Sequence, residues 1–296
     1  MTKELSILQN FRDSMLRREP FPYLVIENAL PAELYDRLAA SYPAETLIFQ
    51  HHRHQMANPT YESNTRYDLS ASSILADPSM DIGLWRAFTE YHTSQEFFDE
   101  VLEKLGEVIE GTHPGLIARM AAKSPSGKPR AGVRYHGDGK DQCEIALDSQ
   151  VGINSPVTQQ PNSVRAAHLD NPVELYAGLF YLRRPEDDSE GGTLEIYSWK
   201  NPARKRIGAG RLVPLDYVET CEAVAYGPNR FALFINSLNS IHGVTVRGKT
   251  DFPRRLVNII GEVYPTMTKL FSDRPFRDDK GVMNFLKRSL FGHPAA

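Results

Sequence analysis

The feature that most constrains this chain is a change of hydrophobic period at Lys123-Ser124-Pro125-Ser126-Gly127-Lys128-Pro129. Upstream of that loop-forming stretch apolar residues recur at helical spacing, and downstream they alternate. Helices first and strands afterwards predicts an α+β fold rather than an alternating α/β one. Beyond the break, segments 144–151, 163–168, 175–182, 193–198, 218–225, 231–235, 242–246 and 255–264 read as strands. Tight-turn chemistry at Glu190-Gly191-Gly192 and Tyr226-Gly227-Pro228-Asn229 separates several of them, which suits a sandwich or barrel. No segment repeats with the period of a solenoid or propeller.

Upstream, Leu5, Leu8, Phe11, Met15 and Leu16 share one face of a helix, and Phe21-Pro22-Tyr23-Leu24-Val25-Ile26 suits a short strand. Pro31 opens a second helix through Leu34, Leu38 and Tyr42, and two more fit 82–92 and 95–109. Residues 46–79, with His51-His52-Arg53-His54, lack a clear period and are expected to wander over the surface or a substrate cleft. The expected organisation is one domain over 1–296: helical support over 1–125, a β core over 126–265 and a tail over 266–296. Within the tail, 285–292 is basic and amphipathic and reads as a short docking helix.

At 296 residues, with 41% hydrophobic and 24% charged residues, the composition is that of a soluble globular protein. A formal net charge of -3 gives no basic footprint for a phosphate backbone, so nucleic acid is not an expected partner. Two cysteines, Cys143 and Cys221, support neither a disulfide framework nor a thiolate zinc site. Charges run through the N-terminus and no apolar run is long enough to span a bilayer, so the expectation is a cytoplasmic protein without a transmembrane segment. Oligomeric state is left open.

Two His-x-Asp triplets stand out. His136-Gly137-Asp138 lies in a Gly- and charge-rich stretch that reads as an exposed turn. His168-Leu169-Asp170 follows one expected strand and precedes another, and side chains two apart in extended chain point the same way, so both can reach one ion. His242, between a polar turn and a strand, is the natural third ligand of a facial two-His, one-carboxylate site. A fixed cation completes the set. On 255–264, Arg255 shares the more apolar face with Val257, Ile259 and Val263 and is expected to point into the barrel, where a buried guanidinium needs an anion. Arg254 is kept as the substitute.

The order His-x-Asp, strand, Gly-Gly-Thr-Leu-Glu-Ile, distal His and strand-start Arg resembles the Fe(II)- and 2-oxoglutarate-dependent dioxygenases, prolyl-4-hydroxylase-like branch. The likeness covers about residues 140–265, with a weaker match at 21–31. It implies a double-stranded β-helix (jelly roll) core with N-terminal supporting helices, and Fe(II) held by His168, Asp170 and His242. It also implies 2-oxoglutarate on Arg255 or Arg254, O2 as cosubstrate, and ascorbate as an optional addition. Relatives often place a Tyr hydroxyl on the same carboxylate. The comparable position here is Phe180, and Tyr176 on the same strand face is the expected replacement. The implied reaction is hydroxylation of an unactivated C–H bond of a small metabolite, sugar intermediate or peptide prolyl residue, with succinate and CO2 released. Since Asp170 is a carboxylate, no ligand position is vacated for halide. Two other readings stand beside this one: a non-catalytic jelly-roll binding module, and a cupin-like metal enzyme that needs no oxo acid.

Overall fold

The computed structural model describes residues 3–53, 60–78, 80, 82–134, 143–263 and 269–273. Short strands β1 (Leu16–Arg17) and β2 (Tyr23–Glu27) lead into helices α1 (Ala32–Ala40) and α2 (Glu45–Arg53). Strand β3 (Arg66–Leu69) and helices α3 (Ala71–Ala76), α4 (Leu84–His92), α5 (Gln95–Thr112) and α6 (Leu116–Lys123) follow. The strand-rich part comprises β4 (Ala131–Val133), β5 (Ile145–Asn154), β6 (Glu174–Leu182) and β7 (Leu194–Trp199). It continues with β8 (Val218–Val224), β9 (Pro228–Ile235), β10 (His242–Val244) and β11 (Arg254–Val263).

These strands make two sheets. The larger runs β1-β2-β9-β6-β11-β5-β3 with β4 beside β5, and the smaller runs β10-β7-β8. Strand β11 is the spine of the larger sheet, antiparallel to β5 and β6 over its length. Its two faces have different partners. Val257, Ile259 and Val263 join Phe180 of β6 and Val151 of β5 in one cluster with the helices, where Trp85, Phe88, Phe97 and Phe98 are fully buried. Each Phe there contributes about 1.5–3 kcal/mol through burial alone. On the opposite face, Ala177, Ala232 and Phe234 pack against Leu194, Ile196 and Val224 of the smaller sheet. Serine caps set the helix starts: Ser70 Oγ accepts from Ser73 N–H and Ser94 Oγ accepts from Phe97 N–H.

The mixed α+β architecture and seven of the eight expected strands agree with the sequence reading, while β1, β2 and β3, which precede residue 123, join the larger sheet. The first helix does not. Only two short helical turns, Lys3–Leu5 and Asp13–Met15, form there. Ile7 N–H donates to His92 Nε2 and Leu8 N–H to Ser6 Oγ, so side chains take the donors a helix would use. Segment 46–79 is more regular than expected, holding most of α2, all of β3 and α3. Segment 163–168 forms no strand and carries only isolated bridges, His168 to Leu212 and His168 to His242. Helix α6 was not anticipated.

A candidate metal centre beside a buried guanidinium

Between the two sheets lies a cavity of about 550 Å³, lined by His168, Asp170, His242 and Arg254 among others. His168 and His242 are paired backbone to backbone, N–H to carbonyl in both directions at 2.9 and 3.1 Å. Gly243 permits this approach, since a Cβ there would lie 2.9 Å from Ala167 N. Leu169, between the two ligand positions of the triplet, turns the other way and is buried against Trp199 and Ile241. That anchor leaves His168 and Asp170 on the cavity side.

One ligand atom from each of His168, Asp170 and His242 falls within 4.8 Å of the others. His168 Nδ1 donates to Ala166 O at 2.8 Å and His242 Nδ1 to Ser240 O at 2.9 Å. A carbonyl only accepts, so each Nδ1 carries the proton, and in the neutral ring Nε2 keeps its lone pair. The two Nε2 atoms face Asp170 Oδ1 at 3.4 Å and Oδ2 at 3.5 Å. Burial pushes the His242 imidazole down to about 4, against the pull of Asp170. Burial by itself would raise Asp170, but His242 and His168, with Arg165, hold it below the usual carboxylate range. At neutral pH an ionised carboxylate therefore faces the lone pair of a neutral imidazole. A divalent cation is the natural mediator, and the donor set with its open positions suits Fe(II).

Asn236, fully buried, ties the two ligand segments together. Its Nδ2 donates to Asn171 O at 2.8 Å and Glu174 O at 3.0 Å, next to Asp170 in the chain. Its Oδ1 accepts from Ser240 Oγ at 2.8 Å, and the Ser240 carbonyl orients His242. His113 Nε2 is 2.8 Å from the Asn236 carbonyl.

The cation is Arg254 by placement, which corrects the expectation for Arg255. Arg254 is 2% exposed, lines the cavity, and lies over Tyr181 and Tyr226 with its guanidinium carbon 4.7 and 5.1 Å from the ring centres. Nη1 donates to Asn154 Oδ1 at 3.1 Å, while Nε and Nη2 have no hydrogen-bond partner among the described residues. Arg247, also buried, is by comparison met by Asp187 at 3.2 Å. Arg255 points to the helical side, 4.8 Å over Tyr42, with Nη1 toward Ala39 O at 3.4 Å. The apolar face of β11 is buried as expected, but under the helices. Leu256, Asn258 and Ile260, on the face of Arg254, line the cavity.

The same parity moves Tyr176 away from the site. It sits opposite Gly261 in the register and packs into the helical cluster, as does Phe180 against Phe88 and Tyr35. Tyr181 and Tyr226 hold the place beside the guanidinium. Neither they, Asn154 nor Asn236 were picked out from sequence, although Tyr181 follows from alternation once Arg254 is turned inward. His51 and His52 lie in α2, outside the cavity lining, with His52 against Tyr67 at 5.3 Å. His54, the His136 triplet and segment 285–292 lie outside the described residues.

No family model and no curated protein matches this chain. Solved structures similar to it include oxygenases. A prolyl 4-hydroxylase from Phytophthora capsici is 14% identical, with 90% of this chain and 68% of that one covered, at a TM-score of 0.40. A Pseudomonas putida prolyl-4-hydroxylase is 14% identical over 82% and 91%, at 0.34. A dioxygenase for auxin oxidation in rice is 14% identical over 90% and 86%, at 0.35. At such identities and TM-scores the functional reading rests on the geometry of the site. Among the described residues no helix is long and apolar enough to cross a membrane.

Proposed function

We propose that this chain is an Fe(II)- and 2-oxoglutarate-dependent oxygenase on a double-stranded β-helix, hydroxylating an unactivated C–H bond. The observation that carries the reading is one cavity holding both a His-Asp-His donor set and a buried guanidinium with two free N–H groups. Iron bound there would supply the oxidative decarboxylation of 2-oxoglutarate to succinate and CO2, coupled to oxidation of the substrate C–H bond.

The residues divide the remaining work. His168 and His242 present Nε2 because their Nδ1 protons are fixed on carbonyls. Arg254 offers Nε and Nη2 side by side, the fork that receives a carboxylate in two bonds. Gly192 approaches the Arg254 side chain, a Cβ there falling 3.4 Å from its Cδ, and Ile196 is opposite His242 in the register. The guanidinium and the three ligand residues line one and the same cavity. Leu179, Leu194, Phe234 and Leu256 line the cavity and would keep water from the oxo acid.

The test is anaerobic addition of Fe(II) and 2-oxoglutarate, which should give a weak visible charge-transfer band. The band should vanish in His168→Ala and His242→Ala. If it persists in both, the ligand assignment is wrong. A cupin-like enzyme without an oxo acid would keep its activity in Arg254→Met.

A further inference from the structure

Most charged side chains lining the cavity already have partners. Arg66 pairs with Asp68 at 3.1 Å and bonds Gln150 at 3.0 Å. Arg134 pairs with Asp148 at 3.4 Å and Glu262 at 2.8 Å. Arg254 has Asn154 and two free N–H groups, assigned above to 2-oxoglutarate. Two ionisable side chains remain, Arg165 and Glu174. Both line the cavity, and neither side chain has a hydrogen bond or ion pair among the described residues, with each other included.

Their positions are set by the metal ligands. Arg165 is three residues before His168, and its carbonyl accepts from Val244 N–H of β10 at 2.9 Å. Glu174 is four residues after Asp170, at the start of β6 opposite Glu262. The charged groups facing Arg165 are Asp170, Arg211, Glu174 and Arg66. Those facing Glu174 are Asp170, Glu262, Arg134 and Arg211. A metal ion would claim the Asp170 carboxylate, and Arg66 and Arg134 are already paired. The metal end of the cavity then holds one uncommitted cation and one uncommitted carboxyl, each close enough to Asp170 to feel its charge.

Resting on the oxygenase reading, we infer that the substrate is a free α-amino acid, its carboxylate received by Arg165 and its ammonium by Glu174. An internal residue of a peptide carries neither charge, and a neutral sugar would leave both groups unanswered. A cavity of about 550 Å³ shared with 2-oxoglutarate suits one small molecule. Each turnover converts R–H, 2-oxoglutarate and O2 into R–OH, succinate and CO2. One oxygen atom enters the alcohol and the other succinate, and the C–H bond and the oxo acid each supply one electron pair to O2.

The experiment uses the full chain with Fe(II) and 2-oxoglutarate under anaerobic conditions, adding the proteinogenic L-amino acids one at a time. Displacement of the visible band is read first, then calorimetry of the same amino acids on the Mn(II) and 2-oxoglutarate complex. At least one amino acid should bind, and its carboxamide and N-acetyl forms should bind roughly ten- to a hundredfold more weakly. In Arg165→Gln the acid and the carboxamide should bind alike, and in Glu174→Gln the penalty for N-acetylation should disappear. A normal band with no amino acid bound, or blocked forms binding as tightly as free ones, overturns this inference and leaves the oxygenase reading standing. Absence of the band with wild-type protein overturns both.

Discussion

Replacing Arg254 by Met tests the placement on which the cosubstrate assignment depends. Two N–H groups of Arg254 are free to meet a carboxylate in a site shielded from water. Removing one partner of such a buried charge pair costs about 2–5 kcal/mol. That corresponds to roughly 30-fold to several-thousand-fold in the dissociation constant of 2-oxoglutarate. The ligand-free protein should respond differently. It loses the stacking of the guanidinium on Tyr181 and Tyr226, worth about 0.5–2 kcal/mol each. It also sheds two unsatisfied buried donors, each costing about 1–3 kcal/mol. These offset, so the urea midpoint should move little while affinity collapses. Arg255→Met is the control: it loses the contacts to Tyr42 and Ala39 O but also sheds one unsatisfied buried donor, Nε, so its stability too should change little. Its 2-oxoglutarate affinity should stay within about threefold of wild type. Calorimetry of 2-oxoglutarate on the Mn(II)-loaded proteins, with urea unfolding of the apo forms, checks both. Equal loss of affinity in the two variants, or wild-type affinity in Arg254→Met, would refute the assignment.

Three further outcomes follow from named contacts. Asn236→Asp keeps the acceptor for Ser240 but turns an oxygen toward the Asn171 and Glu174 carbonyls, so Zn(II) or Co(II) affinity should fall about 10- to 100-fold by calorimetry. A stability loss with unchanged affinity would make it a merely structural residue. Gly243→Ala places a Cβ 2.9 Å from Ala167 N and should shift the His168 segment, weakening Co(II) binding and altering its visible spectrum; an unchanged spectrum would count against this. His92, buried between Ile7 N–H and Phe88 O, is pushed down to about 3 by burial. Because the folded value lies below the unfolded one, stability is complete above about pH 6.5 and falls as pH drops toward 3, by about 2 kcal/mol near pH 5. Urea midpoints of wild type and His92→Gln at neutral pH and near pH 5 should show a flatter dependence in the variant, and equal slopes would exclude His92 as the source.

What could be read from sequence was governed by the range of the interactions involved. Strands β5, β6, β7, β9 and β11 announce themselves because each has a long apolar or alternating run bounded by turn residues. The His168-Leu169-Asp170 triplet is equally local: two ligands in extended chain with an apolar anchor between them. The N-terminal segment reads as a helix because Leu5, Leu8 and Phe11 have helical spacing, yet their neighbours Ser6 and Ile7 bond to Glu100 and His92, far away in the chain. Strand β3 exists through its pairing with β5, and no period in its four residues reveals that.

The inverted assignment of the two arginines has a more general cause. A strand covered on both faces has two insides, and the rule that the apolar face points inward does not say which. In β11 the more apolar face, Val257, Ile259 and Val263 with Arg255 at its end, packs into the cluster with α4 and α5, where nothing needs to bind. The face with Arg254 and Asn258 looks less core-like because it lines a chamber built to receive polar guests. Local patterning is therefore least reliable where a buried surface serves chemistry instead of packing. The mixed face of a doubly covered strand is then the better place to look for a site. On β6 the chamber is met by Ala177 and Leu179, with Tyr181 on the same face beside Arg254, and Glu174 joins them only because the register shifts between Gly261 and Glu262, a local irregularity that alternation does not announce.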